Sequence, residues 1–179
     1  DSDAELDAWA ERLSETGALD EESWFGLTPA DWERFRELRH TLPVTVIDRV
    51  RRNGFRKFST DFAVPLDRSR DMLAYYRKLG DQIFPGQYLI FGHIGDANVH
   101  VNFLPETAEQ AKAGVQMIED FARFAVEAGG TVAAEHGVGK QKAKIFKLMY
   151  SADEIESMRS VKRHLDPQML LGQGTIFGN

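Results

Sequence analysis

Residues 91–102 of this 179-residue chain are FGHIGDANVHVN, and they predict a β-hairpin. The apolar run Gln87–Phe91 leads into this segment, and the alternating run Asn98–Phe103 leads out of it. The Gly-Asp-Ala-Asn between the runs is typical of a turn, and two alternating runs joined by a short turn are the usual sequence pattern of a hairpin. We therefore place the rest of the chain around this hairpin.

Two histidines of the hairpin are predicted to lie on one face of the sheet. If Asp96 and Ala97 form a tight loop, His93 lies opposite His100. If the loop has four residues, His93 lies opposite Asn98 and His100 sits diagonally on the same side. Opposed Cβ atoms are about 4.5–5.5 Å apart, so two imidazoles can share one metal ion. Two half-buried polar residues without a ligand would give the same pattern, so the hairpin alone leaves both interpretations open.

Composition restricts the class of protein and of metal site. The net charge is −6, which disfavours a nucleic acid or an anionic membrane as the main partner. The sequence has no cysteine, so any metal must be held by His, Asp or Glu. No apolar run approaches the roughly 20 residues that span a bilayer, and no signal peptide is visible.

Helical and strand patterns interleave along the chain, which predicts an α+β domain with an antiparallel sheet flanked by helices. Besides the hairpin, we expect strands over 55–65 and 131–134. Pro43 is expected to kink or end the helix that begins after Thr28. The expected helices cover residues 4–13, 28–41 with a further stretch toward 52, 68–79, 108–128, 140–149 and 151–165.

A second candidate stretch has an acid and a histidine side by side, Glu135 and His136, at the end of an apolar run. Neighbours in a regular strand point to opposite faces, so both reach one site only if the backbone leaves the strand, and the following glycines allow that. Glu135 could then complete a His-His-Glu set and leave a coordination position open, beside which His136 could act as a base. A phosphate cradle at Gly137–Lys140 is the alternative, but the segment fails the P-loop pattern. His40 and His164 fall within helical patterns and are expected at the surface.

These two motifs, GHIGDANVHVN at 92–102 and EHGVGK at 135–140, together resemble the C-terminal domain of FAD-linked oxidases. That family includes D-lactate dehydrogenase, D-2-hydroxyglutarate dehydrogenase and the flavin subunit of glycolate oxidase. The segments KFSTDFAVP at 57–65 and LDPQMLLGQGTIF at 165–177 are similar to two further family blocks. We therefore expect a ferredoxin-like cap domain over residues 35–179, preceded by a helical segment, 1–34, that carries no resemblance.

The resemblance implies oxidation of a 2-hydroxy acid to a 2-oxo acid, with a hydride passed to FAD. By motif match, His93, His100 and Glu135 fall on the family's divalent-metal ligands, and the metal is expected to be zinc, with manganese or iron as alternatives. His136 falls on the base that takes the hydroxyl proton. Asn102 matches a substrate-binding residue. Arg39 and Lys57 match the family's cationic residues that bind the substrate carboxylates.

The resemblance also implies partners for this chain. We expect the FAD-binding domain, which is absent here, in the parent chain or in a separate subunit, so the chain is an excised domain or a natural subunit and is inactive alone. No flavin-binding residue is assigned, and the electron acceptor is not identified. The expected location is the cytoplasm, with peripheral attachment to the inner membrane through partners as an alternative.

The sequence departs from the family pattern at several positions. Ala97 replaces the usual turn glycine, and Pro43 lies near a substrate-binding threonine of the family. In the tail, Gly172, Gln173 and Thr175 replace Asn, Pro and Lys, which weakens any flavin contact there. Two alternative functions therefore remain open: a non-catalytic interaction module with the same fold, and a metal-dependent hydrolase.

Overall fold

The computed structural model describes residues 2–17 and 24–177, which form six α-helices and one three-stranded sheet. The chain divides into two units, Asp1–Ile47 and Asp48–Asn179. The helices are α1 (Ser2–Glu15), α2 (Pro29–Asn53), α3 (Ser69–Ile83), α4 (Ala108–Glu127), α5 (Ala143–Phe146) and α6 (Ala152–Leu165). The strands are β1 (Phe58–Ser59), β2 (Tyr88–His93) and β3 (Asn98–Phe103). Within the described ranges, no helix combines the length and the apolar character needed to cross a membrane.

Capping hydrogen bonds stabilise the first turns of α2 and α6 at the positions that the sequence predicts. The Asp31 N–H donates to Thr28 Oγ1, and the Thr28 N–H donates back to the Asp31 carboxylate. Ser151 makes the same reciprocal capping box with Glu154 at the start of α6. α2 continues past Pro43, so the alternative in which this proline ends the helix is wrong.

The hairpin is confirmed, and the structure selects the longer of the two predicted loops. β2 and β3 pair antiparallel, with His93 opposite Asn98 and Phe91 opposite His100. The four residues between the strands include a turn of 3-10 helix, Ile94–Asp96. Ala97, which replaces the usual turn glycine, follows with φ = +48°, in the left-handed region that favours glycine.

The central strand β3 separates the apolar core from a polar face. The sheet order is β1-β3-β2, and all pairs are antiparallel. Val101 and Phe103 point into the core, where Phe103 packs on Phe121 of α4. Because side chains alternate along a strand, Asn98, His100 and Asn102 share the opposite face. All three are buried as well, so other segments cover this polar face.

The strand predicted over 55–65 is wrong for most of its length. Only Phe58–Ser59 pairs as a strand, and Ala63 makes isolated bridges to Asn98 and Thr131. Between them the Thr60 N–H still donates to the Val101 carbonyl oxygen at 3.1 Å, but the Val101 N–H donates to the Thr60 side chain, Oγ1, at 3.0 Å. A side chain that accepts the return bond in this way interrupts the regular ladder.

Two further elements are shorter than predicted. The strand expected over 131–134 is reduced to the bridge at Thr131, and the helix expected through Met149 is only Ala143–Phe146. Gly137 and Gly139 both have positive φ, at 66° and 56°. Left-handed residues cannot continue a right-handed helix, so the chain forms a loop before α5.

Candidate metal centre

The carboxylate of Glu135 lies among three imidazoles. Glu135 Oε1 is 2.5 Å from His100 Nε2 and 3.4 Å from His136 Nε2. Glu135 Oε2 is 3.7 Å from His93 Nε2. The His100 side chain is 9% exposed, whereas those of His93 and His136 are 60% and 66% exposed. One side of the cluster is therefore buried against the sheet, and the other is open.

The partners of His100 indicate which of its ring nitrogens carries a proton. His100 Nδ1 lies 2.9 Å from the backbone carbonyl oxygen of Thr60, which can only accept, so Nδ1 is the donor. In the neutral ring, Nε2 then presents a lone pair to the Glu135 carboxylate. Two acceptors 2.5 Å apart need a proton or a metal ion between them, and a proton can be carried by the ring or by the carboxyl group. The contact is therefore compatible with a metal ion bound between His100 and Glu135.

The donor set fits a divalent metal ion. Two or three imidazole nitrogens and a carboxylate are ligands that zinc accepts, and manganese and iron accept the same types. Donor atoms around a tetrahedral zinc ion are about 3.3 Å apart when the metal–ligand bonds are near 2 Å. The distances from Glu135 to His136 and to His93, 3.4 and 3.7 Å, are close to that spacing, whereas the 2.5 Å contact with His100 is shorter.

A buried aspartate, Asp61, lies close to the same side chains. The possible ligand atoms of Asp61, His100, Glu135 and His136 all lie within 4.8 Å of one another. Burial by itself raises the pKa of Asp61, but hydrogen bonds from Lys142 and from the His136 and Glu135 N–H groups outweigh it, so the pKa is lowered. The sequence reasoning missed Asp61 and Lys142 as members of the site. The available signal was an acid inside the apolar run that follows Ser59.

Two of the three predicted substrate residues lie together. Lys57 Nζ donates to Asn102 Oδ1 at 3.2 Å, and the Ser59 hydroxyl donates to the same oxygen. Lys57 is exposed overall, yet partial burial lowers the pKa of its amine. Arg39 is an exposed residue of α2 in the first unit, whereas the other predicted site residues belong to the second.

Two cavities of the second unit are bordered by the cluster. A cavity of about 460 Å³ is lined by His93, Glu135 and Asn98, among others. A larger cavity of about 890 Å³ is lined by His136, by five cationic side chains and by the acidic Glu119. Lys144 pairs with Glu119 and Lys142 with Asp61, and the remaining excess of positive charge suits an anionic ligand. The cationic residues are Arg56, Lys57, Lys140, Lys142 and Lys144.

The structure therefore brings His100, Glu135 and His136 into one cluster and joins Lys57 to Asn102. His93 lies outside the set of mutually close ligand atoms and approaches only the second oxygen of Glu135, at 3.7 Å. Their roles as metal ligands, base and substrate contacts stay predictions. His40 and His164 are exposed, as expected for surface residues.

The chain is similar to a known family of protein domains. The family model for the C-terminal domain of FAD linked oxidases matches residues 1–176, which include the segment 1–34. The predicted boundary between residues 34 and 35 stays a prediction.

Three curated relatives carry related names. D-2-hydroxyglutarate dehydrogenase of Xanthomonas citri pv. viticola is 34% identical over 67% of this chain. D-lactate dehydrogenase [cytochrome] of Kluyveromyces lactis is 31% identical over 67%, and glycolate oxidase subunit GlcD of Bacillus subtilis is 26% identical over 89%. The matched regions cover 26%, 20% and 32% of those proteins, so the chain corresponds to only a part of each.

Proposed function

The chain belongs to the family of C-terminal domains of FAD-linked oxidases, and we propose that it binds the 2-hydroxy acid and a divalent metal ion in such an enzyme. The enzyme would oxidise the acid to a 2-oxo acid. The observation that carries the proposal is the contact of Glu135 with His93, His100 and His136 on the polar face of the hairpin. The names of the relatives, all dehydrogenases or oxidases of such acids, support the same class of substrate.

His93 Nε2, His100 Nε2 and the Glu135 carboxylate would hold the metal. Three protein ligands leave a position open for the substrate, which is the usual arrangement of a catalytic metal site. A divalent ion there supplies Lewis acidity that lowers the pKa of a coordinated hydroxyl. The Thr60 carbonyl keeps the His100 ring in one orientation, with Nε2 directed at the site.

His136 would accept the proton of the substrate hydroxyl. Its Nε2 is 3.4 Å from Glu135 Oε1, so the ring stands beside the proposed coordination position. With a proton on Nδ1, Nε2 has the free lone pair that a general base needs. The open side of the cluster, where most of the His136 side chain is exposed, is the side from which a substrate can approach.

Lys57 would bind a carboxylate of the substrate, with Asn102 beside it. The contact of the lysine amine with Asn102 Oδ1 restrains the long side chain, which reduces the entropy lost when an anion binds. Lys57 and His136 line the same basic cavity, so a carboxylate at the lysine leaves the rest of the substrate on the side of the base. Arg39 is the second proposed carboxylate-binding cation, by motif match alone.

The hydride acceptor would be supplied by FAD bound to another part of the enzyme, in the same chain or in a separate subunit. Because the chain spans a third or less of its relatives, we propose that it turns over substrate only together with that part. None of the described residues is assigned to the flavin.

The test is zinc binding by the purified chain, followed by competition with a chromophoric chelator. We expect one zinc ion per chain in the wild type, and loss of that site in His93→Ala and in His100→Ala. His164→Ala is the matched control, because it removes an exposed histidine from α6, and it should bind zinc like the wild type. Isothermal titration of a 2-hydroxy acid into the zinc-loaded chain then tests the substrate proposal.

The outcomes separate the competing functions. Stoichiometric zinc that survives in both His93→Ala and His100→Ala would contradict the ligand assignment. A wild-type chain that binds neither zinc nor a 2-hydroxy acid would favour the interaction module. Hydrolysis of an ester or amide by the zinc-loaded chain alone would instead favour the hydrolase.

A further inference from the structure

Asp61 binds the backbone of the loop that carries Glu135 and His136. Its Oδ1 accepts from the Glu135 N–H at 3.1 Å, and its Oδ2 accepts from the His136 N–H at 3.0 Å. The Asp61 carbonyl oxygen also accepts from the Ala134 N–H at 3.0 Å. Three consecutive N–H groups thus bond to one residue that lies more than 70 positions earlier in the chain.

These hydrogen bonds hold a segment that has no regular secondary structure. Residues 135–139 belong to neither a helix nor a strand, so no regular ladder fixes the direction of the Glu135 and His136 side chains. In an ordinary strand the two would point to opposite faces. Here Glu135 Oε1 and His136 Nε2 are 3.4 Å apart, and the bonds to Asp61 hold the backbone in the conformation that allows this.

Lys142 neutralises the buried carboxylate. Asp61 is 3% exposed, and Lys142 Nζ pairs with its Oδ2. A buried charge is stable only when it is paired and hydrogen-bonded, and Asp61 meets both conditions. Its two oxygens serve three donors, so the carboxylate is already occupied and is a poor choice as a fourth metal ligand despite its position in the cluster.

The residue before Asp61 holds the opposite side of the site. The Thr60 carbonyl binds His100 Nδ1, while the Asp61 carboxylate binds the amides of Glu135 and His136. Thr60 and Asp61 are adjacent in the chain, and together they orient His100 of β3 and the 134–136 loop toward one another.

We propose that Asp61, neutralised by Lys142, is a positioning residue that directs Glu135 and His136 toward His100. The proposal rests on the proposed function, since it takes Glu135 as a metal ligand and His136 as a base. Asp61 itself contacts neither the substrate nor the metal in this arrangement.

The test substitutes Asp61→Asn and measures two quantities. The carboxamide keeps one acceptor oxygen and turns its N–H₂ group toward one of the three donors, so at least one of those bonds is lost. We expect amide hydrogen exchange at Glu135, at His136 or at both to become at least about tenfold faster. We also expect zinc affinity to fall by about 10- to 100-fold, as is typical when a partner of a metal ligand is removed.

Asp166→Asn is the matched control. Asp166 accepts from the Leu170 and Leu171 N–H groups and pairs with Lys162, so it has the same kinds of partners as Asp61 but none in the metal cluster. This variant should lose local protection at Leu170 and Leu171 while its zinc affinity and the exchange at Glu135 stay at wild-type values. Amide exchange in α4 verifies that both variants are folded.

The results separate this inference from the proposed function. If the wild-type chain binds no zinc, the proposed function fails, while exchange at Glu135 and His136 still decides whether Asp61 holds the loop. Wild-type exchange and zinc affinity in Asp61→Asn would overturn the positioning role and leave the metal site intact. If Asp61→Asn does not fold, Asp61→Glu replaces it, because this change keeps the charge that Lys142 neutralises and displaces the carboxylate oxygens from the Glu135 and His136 N–H groups, and the same two readings then decide.

Discussion

Gly130→Ala should destabilise the second unit strongly, because the backbones of two segments meet at this glycine. A Cβ placed there would overlap the Ala63 carbonyl oxygen, and it would lie 2.8 Å from the Ala125 carbonyl oxygen. Ala63 and Thr131 exchange two backbone hydrogen bonds beside this point, at 3.1 and 2.8 Å. The methyl group must therefore push apart the segment that leads to Glu135 and the segment that follows Asp61.

The expected loss in the free energy of unfolding can be estimated from these contacts. Overpacking costs about 1–3 kcal/mol. The two backbone bonds contribute about 0.5–1.5 kcal/mol each, so the total is about 2–6 kcal/mol. Urea unfolding of the metal-free chain, followed by circular dichroism, measures it.

Gly95→Ala is the control, because a Cβ at this position would meet open space and the φ of Gly95 is not positive. It should leave the stability unchanged or raise it by up to about 1 kcal/mol. A Gly130→Ala chain whose stability lies within about 1 kcal/mol of the wild type would refute the close approach of the two segments.

Three further predictions concern other parts of the chain. Ser151→Ala removes the capping box of α6 and should lower the free energy of unfolding by about 1 kcal/mol in urea; an unchanged midpoint would contradict the cap. The bond from Lys162, with the backbone N–H groups, lowers the pKa of Asp166, so its contribution to stability is present above about pH 4 and lost as the pH falls through the lowered pKa. The difference in urea midpoint between the wild type and Asp166→Asn should therefore become smaller in acid. A difference that stays constant would contradict the lowered pKa of Asp166. Lys57→Gln should weaken 2-hydroxy-acid binding to the zinc-loaded chain at least about tenfold by calorimetry, whereas Lys147→Gln, at an exposed lysine, should not.

The sequence predicted the elements whose causes are local. The caps at Thr28 and Ser151 act within three or four residues, so the residue types alone indicate where α2 and α6 begin. The hairpin is local as well, and its alternating pattern is enough to predict that His93 and His100 share one face. The pattern cannot choose between the two loops, because the two registers differ by two residues and therefore keep the same side chains on each face.

The predictions failed where a side chain replaced regular secondary structure. Residues 55–65 have the composition of a strand, yet Thr60 and Asp61 use their polar groups to bond backbone amides of β3 and of the 134–136 loop. The helix predicted over 140–149 begins only at Ala143 and ends at Phe146, after a loop in which Gly137 and Gly139 are left-handed.

The sequence by itself therefore determined the hairpin, the capped helices and the residue types that could hold a metal ion. Only the tertiary structure decided that Glu135 and His136 converge on His100, since the bonds that turn them join residues more than 70 positions apart. The physical reason is the separation along the sequence over which each interaction acts. Propensity, capping and alternation act over a few residues, whereas a buried carboxylate takes its partners from whichever segments the packing of the core brings beside it.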